Sequence, residues 1–145
     1  MNIVESIRAA GVVGAGGAGF PAHVKLNGKA EYVIANGAEC EPLLRVDQLL
    51  MQREAKRVVR VALAMEATGA ARGVIATKAH YHDAVHALEQ ALGGRSDITL
   101  HLMDSYYPSG DEKSIIFEVT GRVVPSGKLP LDVGCVVSNV ATLVN

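Results

Sequence analysis

The sequence predicts an α/β domain of three layers, in which a largely parallel sheet is flanked by helices. Two observations carry that expectation. Short apolar runs rich in Val and Ile alternate along the chain with segments of helical periodicity, the order produced when helices cross over between parallel strands. The longer helical segments also stop at glycine, which takes the left-handed conformation of a helix C-terminus without steric cost. With 145 residues, one domain can bury a sizeable core.

The elements follow in order. Ile3, Val4, Ile7 and Ala10 recur at helical spacing and predict a short helix ahead of a glycine-rich stretch, residues 11–21. Residues 32–35 read as a buried strand and 36–42 as the loop after it. Asp47 reads as the N-cap of a long helix through about residue 68, which Gly69 would end. Residues 73–77 form a second strand, and His82 to Leu92 a helix stopped by Gly93 and Gly94. Ile98 to Met103 alternates as a third strand; residues 106–110 turn into a helix from near Asp111 to about Val119. Residues 135–137 are a last short strand, and Asn139 begins a final helix.

Composition excludes several classes. Lys and Arg number 14 against 15 Asp and Glu, and a net charge of −1 gives no basis for attraction to nucleic acid or an anionic membrane. Trp is absent and aromatics are scarce, which argues against a stacking platform for single strands. No apolar run approaches a membrane span, and the N-terminus lacks the pattern of a signal peptide, so a cytoplasmic location is expected. Cys40 and Cys135 make no disulfide framework and fit a reducing compartment.

The stretch Gly11-Val-Val-Gly-Ala-Gly-Gly-Ala-Gly-Phe-Pro21 is the strongest local signal. Glycines without Cβ let backbone N–H groups approach a ligand, and such a loop at a helix start favours an anion such as a nucleotide or flavin phosphate. An ordinary glycine-rich turn is the plain alternative. Gly14 to Gly19 matches G-x-G-x-x-G, and Glu39 has about the spacing of the acid in a dinucleotide fingerprint. That fingerprint needs a strand leading into the glycines, whereas the segment here is helical. A phosphate-binding Gly-Lys-Ser/Thr sequence is also missing.

Other candidates carry less. His80, His82 and His86 form H-x-H-x-x-x-H, with two imidazoles on one helix face, but no carboxylate or cysteine cluster completes a metal site, so no metal is expected. Two distant cysteines cannot hold an iron–sulfur cluster, which takes four thiolates. No hydrolase spacing stands out.

Four blocks together resemble a known group: the glycine loop, Asn36-Gly-Ala-Glu-Cys-Glu-Pro42, Tyr107-Pro-Ser-Gly-Asp-Glu112 and Val136-Val-Ser-Asn-Val-Ala-Thr142. The chain is similar to one family of FMN-binding domains. That family includes the flavoprotein (51 kDa) component of respiratory complex I, the C subunit of the Rnf electron-transport complex, and the cobalamin reductases of propanediol-utilising microcompartments. The last are nearest in pattern. The resemblance implies one Rossmann-like domain over residues 1–145, belonging to a longer chain whose later region holds 4Fe-4S clusters.

For individual residues the resemblance implies the following. Gly14, Gly16 and Gly17 line the flavin with bare backbone, and Lys25 supplies a point charge near its phosphate or the dinucleotide. Phe20 stacks on NADH. Asn36 hydrogen-bonds the isoalloxazine edge, Glu39 sits at the flavin and Glu41 at the dinucleotide. Tyr107 leads into Gly110, Asp111 and Glu112, the last also facing NADH. Ser138, Asn139 and Thr142 face the FMN phosphate. Plain readings stand beside these: core packing for Phe20, solvation for Lys25, Glu39 and Glu41, and helix capping for Asp111, Glu112, Ser138 and Asn139. The complex I pattern has Arg where Ala15 stands and Ala-Asp where Gly37-Ala38 stand.

The function implied is an NADH-dependent flavin oxidoreductase that takes hydride from NADH onto FMN, with no side-chain catalyst, and passes electrons towards a corrinoid or a corrinoid-dependent enzyme, within a bacterial microcompartment. Two alternatives stay open: an Rnf-type subunit working between NADH and ferredoxin, and a docking module that has lost FMN.

Overall fold

The computed structural model describes residues 2–41 and 43–145. Four strands, β1 (Tyr32–Asn36), β2 (Arg72–Lys78), β3 (Ile98–Met103) and β4 (Cys135–Asn139), form one parallel sheet in the order β3-β2-β1-β4. Ile34 pairs with Val74 on one side and with Val137 on the other, which puts β1 at the centre. Strands covered on both faces need no polar alternation, so β1, β2 and β4 are nearly continuous apolar runs.

The side chains sort by parity. Val33, Ala35, Ile75 and Val136 face one apolar cluster, filled from α3 (Val46–Arg53), α4 (Ala55–Val58), α5 (Val61–Thr68), α6 (His82–Leu92) and α8 (Val140–Val144). Ile34, Val74, Ala76 and Val137 face the other, closed by Ile115 and Ile116 of α7 (Glu112–Thr120). Three layers result, as the sequence predicts. Two short helices, α1 (Ile3–Ala9) and α2 (Ala22–Lys25), flank the glycine loop, and α2 has no counterpart among the predicted elements. Gly69 (φ +70°) and Gly93 (φ +56°) end α5 and α6 in the left-handed conformation, as expected.

The helix expected over 47–68 is a correction. It is three helices, α3, α4 and α5, with breaks at Glu54 and at Val59–Arg60. A straight helix of that length would run roughly 33 Å at about 1.5 Å per residue, well beyond a seven-residue strand of roughly 23 Å. The joints tighten into i→i+3 turns, such as Arg57 N to Glu54 O at 2.8 Å and Leu63 N to Arg60 O at 2.7 Å. The bends keep Met51, Ala55, Val58, Val61 and Ala64 all against the sheet. Asp47 is also not the N-cap: Arg45 holds that position, and Asp47 lies in the first turn of α3.

The strand order reverses direction between β1 and β4, because the chain walks from β1 to β3 and then returns past β1. Crevices beyond the C-terminal ends of strands at such a point are where open α/β sheets hold ligands. Asn36 and Asn139 end the two strands there and are register partners.

Candidate functional site

The glycine loop is closed at its neck. Val13 and Pro21 form an isolated antiparallel bridge, the Gly14 amide donates to Phe20 O at 2.8 Å, and the Ala22 amide donates to Val12 O at 3.0 Å. Its tip is seated on the end of β4 and the start of α8. The Ala15 amide donates to Thr142 Oγ1 at 2.9 Å, and a methyl on Gly16 would lie 3.6 Å from Asn139 Cβ.

Lys25 ends α2 and turns towards the sheet. Its Nζ donates to Val137 O at 2.7 Å and lies 3.4 Å from Glu112 Oε1, at the start of α7. The side chain is half-buried, so the solvated-lysine reading does not describe it. Ser138 and Thr142 are buried, and Asn139 caps α8 by accepting from the Ala141 amide at 2.8 Å. Ser138 itself is the last buried residue of β4, not a cap.

A second group gathers at the end of β1. Asn36 Nδ2 donates to Gly110 O at 3.0 Å while its Oδ1 accepts from the Ala38 amide at 3.1 Å, which locks the carboxamide between two loops. Gly110 has no room for a side chain, since a Cβ would fall onto Ala38 O and Cys40 Sγ. Glu39 is buried, accepts from the Gln48 amide at 3.4 Å, and its backbone carbonyl accepts from Lys78 Nζ. Asp111 caps α7, accepting from the Ser114 amide at 3.0 Å, so its plain reading is realised.

The structure thus joins the two groups through the Lys25–Glu112 pair. Gly14, Gly16, Phe20, Lys25, Ser138, Asn139 and Thr142 all line one largely apolar cavity of about 440 Å³, which extends to α1 and α5. Phe20 is half-exposed on its wall, so it is not core packing. Gly17 lies in the exposed part of the loop, and Glu41 and Tyr107 are exposed outside the cavity. His80, His82 and His86 lie on and beside α6, away from the cavity.

Asp47 is the residue whose place sequence reasoning missed. Its Oδ2 accepts from Asn139 Nδ2 at 2.8 Å. Burial pushes its carboxyl above the usual range and the nearby Glu39 adds to this, while the hydrogen bond from Asn139 opposes it. An acidic residue in a first helical turn reads as a dipole partner, and a contact across 92 residues has no local signature.

Residues 7–145 match the Nuo51 FMN-binding domain family. The chain belongs to that family. This Nuo51-type FMN-binding domain is 54% identical over 145 residues to the cobalamin reductase PduS of Salmonella typhimurium, covering 99% of the chain and 32% of that protein. It is 45% identical to the C subunit of the Na(+)-translocating ferredoxin:NAD(+) oxidoreductase complex of Acetobacterium woodii, covering 97% of the chain and 33% of that protein. In the crystal structure of an NAD+-reducing NiFe-hydrogenase in its H2-reduced state, 29% of one chain superposes on 98% of the domain with a TM-score of 0.82 and 27% identity. The domain therefore spans about a third of the length of these relatives. Among its described residues no helix is long and apolar enough to cross a membrane.

Proposed function

We propose that the chain binds FMN in the crevice between the glycine loop and the ends of β1 and β4, and there oxidises NADH as one domain of a longer electron-transfer protein. The observation that carries this is the seating of the loop by Ala15 on Thr142, beside the half-buried cation of Lys25. The residues fit a flavin phosphate. Nothing lies within 4 Å of where a side chain on Gly17 (φ +115°) or Gly19 (φ +61°) would begin, which leaves space for backbone to meet a ligand. Lys25 supplies the positive charge, and the Ser138 and Thr142 hydroxyls supply donors.

A bound FMN would supply a hydride acceptor for NADH and a donor of single electrons, and the hydride transfer itself would need no side-chain acid or base. The protein's residues would hold and orient. Gly14, Gly16 and Gly17 would present backbone to the flavin; Asn36, fixed by Gly110 and Ala38, and Glu39 with the Tyr107–Glu112 turn would hold it at the end of β1. Asn139, Ser138 and Thr142 would hold the phosphate. Phe20, Lys25, Glu41 and Glu112 would hold the dinucleotide in contact with the ring.

The acceptor reading is a corrinoid, supported by the cobalamin reductase relatives; a corrinoid-dependent enzyme as partner and a cytoplasmic place within a microcompartment are proposed with it from the resemblance alone. The further electron carriers would be 4Fe-4S clusters in a later region of that longer chain. A ferredoxin-linked role is the second reading, favoured by the 45% identity to a component of the ferredoxin:NAD(+) oxidoreductase complex.

The test is FMN titration of the purified chain, then anaerobic NADH while flavin absorbance is followed. Binding with bleaching supports the proposal. Binding without bleaching keeps the flavin site and removes NADH oxidation, and no binding leaves the docking-module reading.

A further inference from the structure

We propose that Asp47 is a positioning residue for the glycine loop: it aims the Asn139 side chain, and Asn139 with the helix it starts forms the floor beneath Ala15 and Gly16. The Asn139 carboxamide is used at both ends. Its Nδ2 donates to Asp47 Oδ2 at 2.8 Å, and its Oδ1 accepts from the Ala141 amide at 2.8 Å. Turned over, it would set oxygen against carboxylate and N–H against N–H, so Asp47 selects one orientation.

That orientation caps α8 and so places Thr142, one residue past the capped amide, where it accepts from Ala15 at 2.9 Å. Gly16 packs over the same asparagine, with a methyl there 3.6 Å from Asn139 Cβ. The other end of α8 is held by Arg57, whose Nη2 donates to Val144 O at 2.7 Å. With α8 clamped from α3 and α4, the loop has a fixed platform. Asp47 caps nothing on its own helix, so its carboxylate serves this contact.

The proposal rests on the flavin reading only for the ligand the loop serves; the seating of the loop is a property of the chain itself. Its test compares Asp47→Ala with Asp47→Asn by amide hydrogen exchange and by FMN titration. In Asp47→Ala the Ala15 and Ala141 amides should exchange about tenfold faster and FMN should bind about tenfold more weakly, while Ile34 and Ile75 in the sheet keep their protection. Asp47→Asn, whose carbonyl oxygen still accepts from Asn139, should restore both. Unchanged exchange at Ala15 and Ala141 in Asp47→Ala overturns the proposal. So does an Asp47→Asn chain as open as Asp47→Ala, or normal FMN affinity once the loop amides have opened. If Asp47→Ala loses protection throughout, Asp47→Ser, which stays polar and lacks the reach, is read by the same criteria. A wild-type chain that binds no FMN while exchange follows the expected pattern leaves the positioning role intact and removes the flavin reading.

Discussion

Lys25 and Glu112 meet at 3.4 Å, Nζ to Oε1, although 87 residues separate them. The pair ties the helix that follows the glycine loop to the helix on the opposite layer, across the end of β4. The stronger contact at this point is the 2.7 Å bond from Lys25 to the carbonyl of Val137.

The two contacts separate by substitution. Glu112→Gln removes a partly exposed ion pair, for which about 0–1 kcal/mol is expected. Lys25→Met leaves the Val137 carbonyl without its donor and should cost about 1–3 kcal/mol. Chemical denaturation of the two variants checks the order, and equal losses would show the ion pair to be the dominant contact.

Gly110→Ala would drive a Cβ onto Ala38 O and Cys40 Sγ. The backbone must move, and Asn36 then loses its bond to Gly110 O. A loss of about 1–3 kcal/mol is expected by denaturation, together with weaker FMN binding.

Asp47 carries a pH signature. Its carboxyl is held above the ordinary value of 3.8 in the folded chain, first by burial and then by Glu39. Such a group holds its proton more tightly when folded. Its stabilisation is full below the unfolded value and is lost as pH rises through the raised folded value. Denaturation across acidic pH should therefore show wild type losing stability relative to Asp47→Asn as pH rises from about 4 towards neutrality. A difference that stays flat over that range would show the carboxyl to be unshifted.

Phe20→Ala and Glu41→Gln should raise the KM for NADH more than they alter bound flavin, because both residues stand on exposed surface at the loops. Steady-state kinetics with flavin content measured on the same samples decides it. Lost flavin at unchanged KM would move both residues to the flavin side.

The layered fold was legible because its signals are local. The apolar runs of β1, β2 and β4, the glycines after α5 and α6, and Asn139 and Asp111 as caps all act within a few residues of where they stand. The glycine loop was visible for the same reason. The motif blocks could be found one by one, and the structure brings most of their residues to one crevice and one cavity.

Periodicity, turn chemistry and capping in the sequence by itself determined the α/β class, the strands and the candidate loops. Only the tertiary structure decided that the 47–68 segment breaks at Glu54 and at Val59–Arg60, which no Gly or Pro within the segment announces. It alone decided that Lys25 reaches Val137, that Thr142 seats Ala15, and that Asp47 serves Asn139 and caps nothing on α3. Those partners lie 92 to 127 residues apart along the chain, and a side chain's neighbours at such separations are set by how the layers close over the sheet.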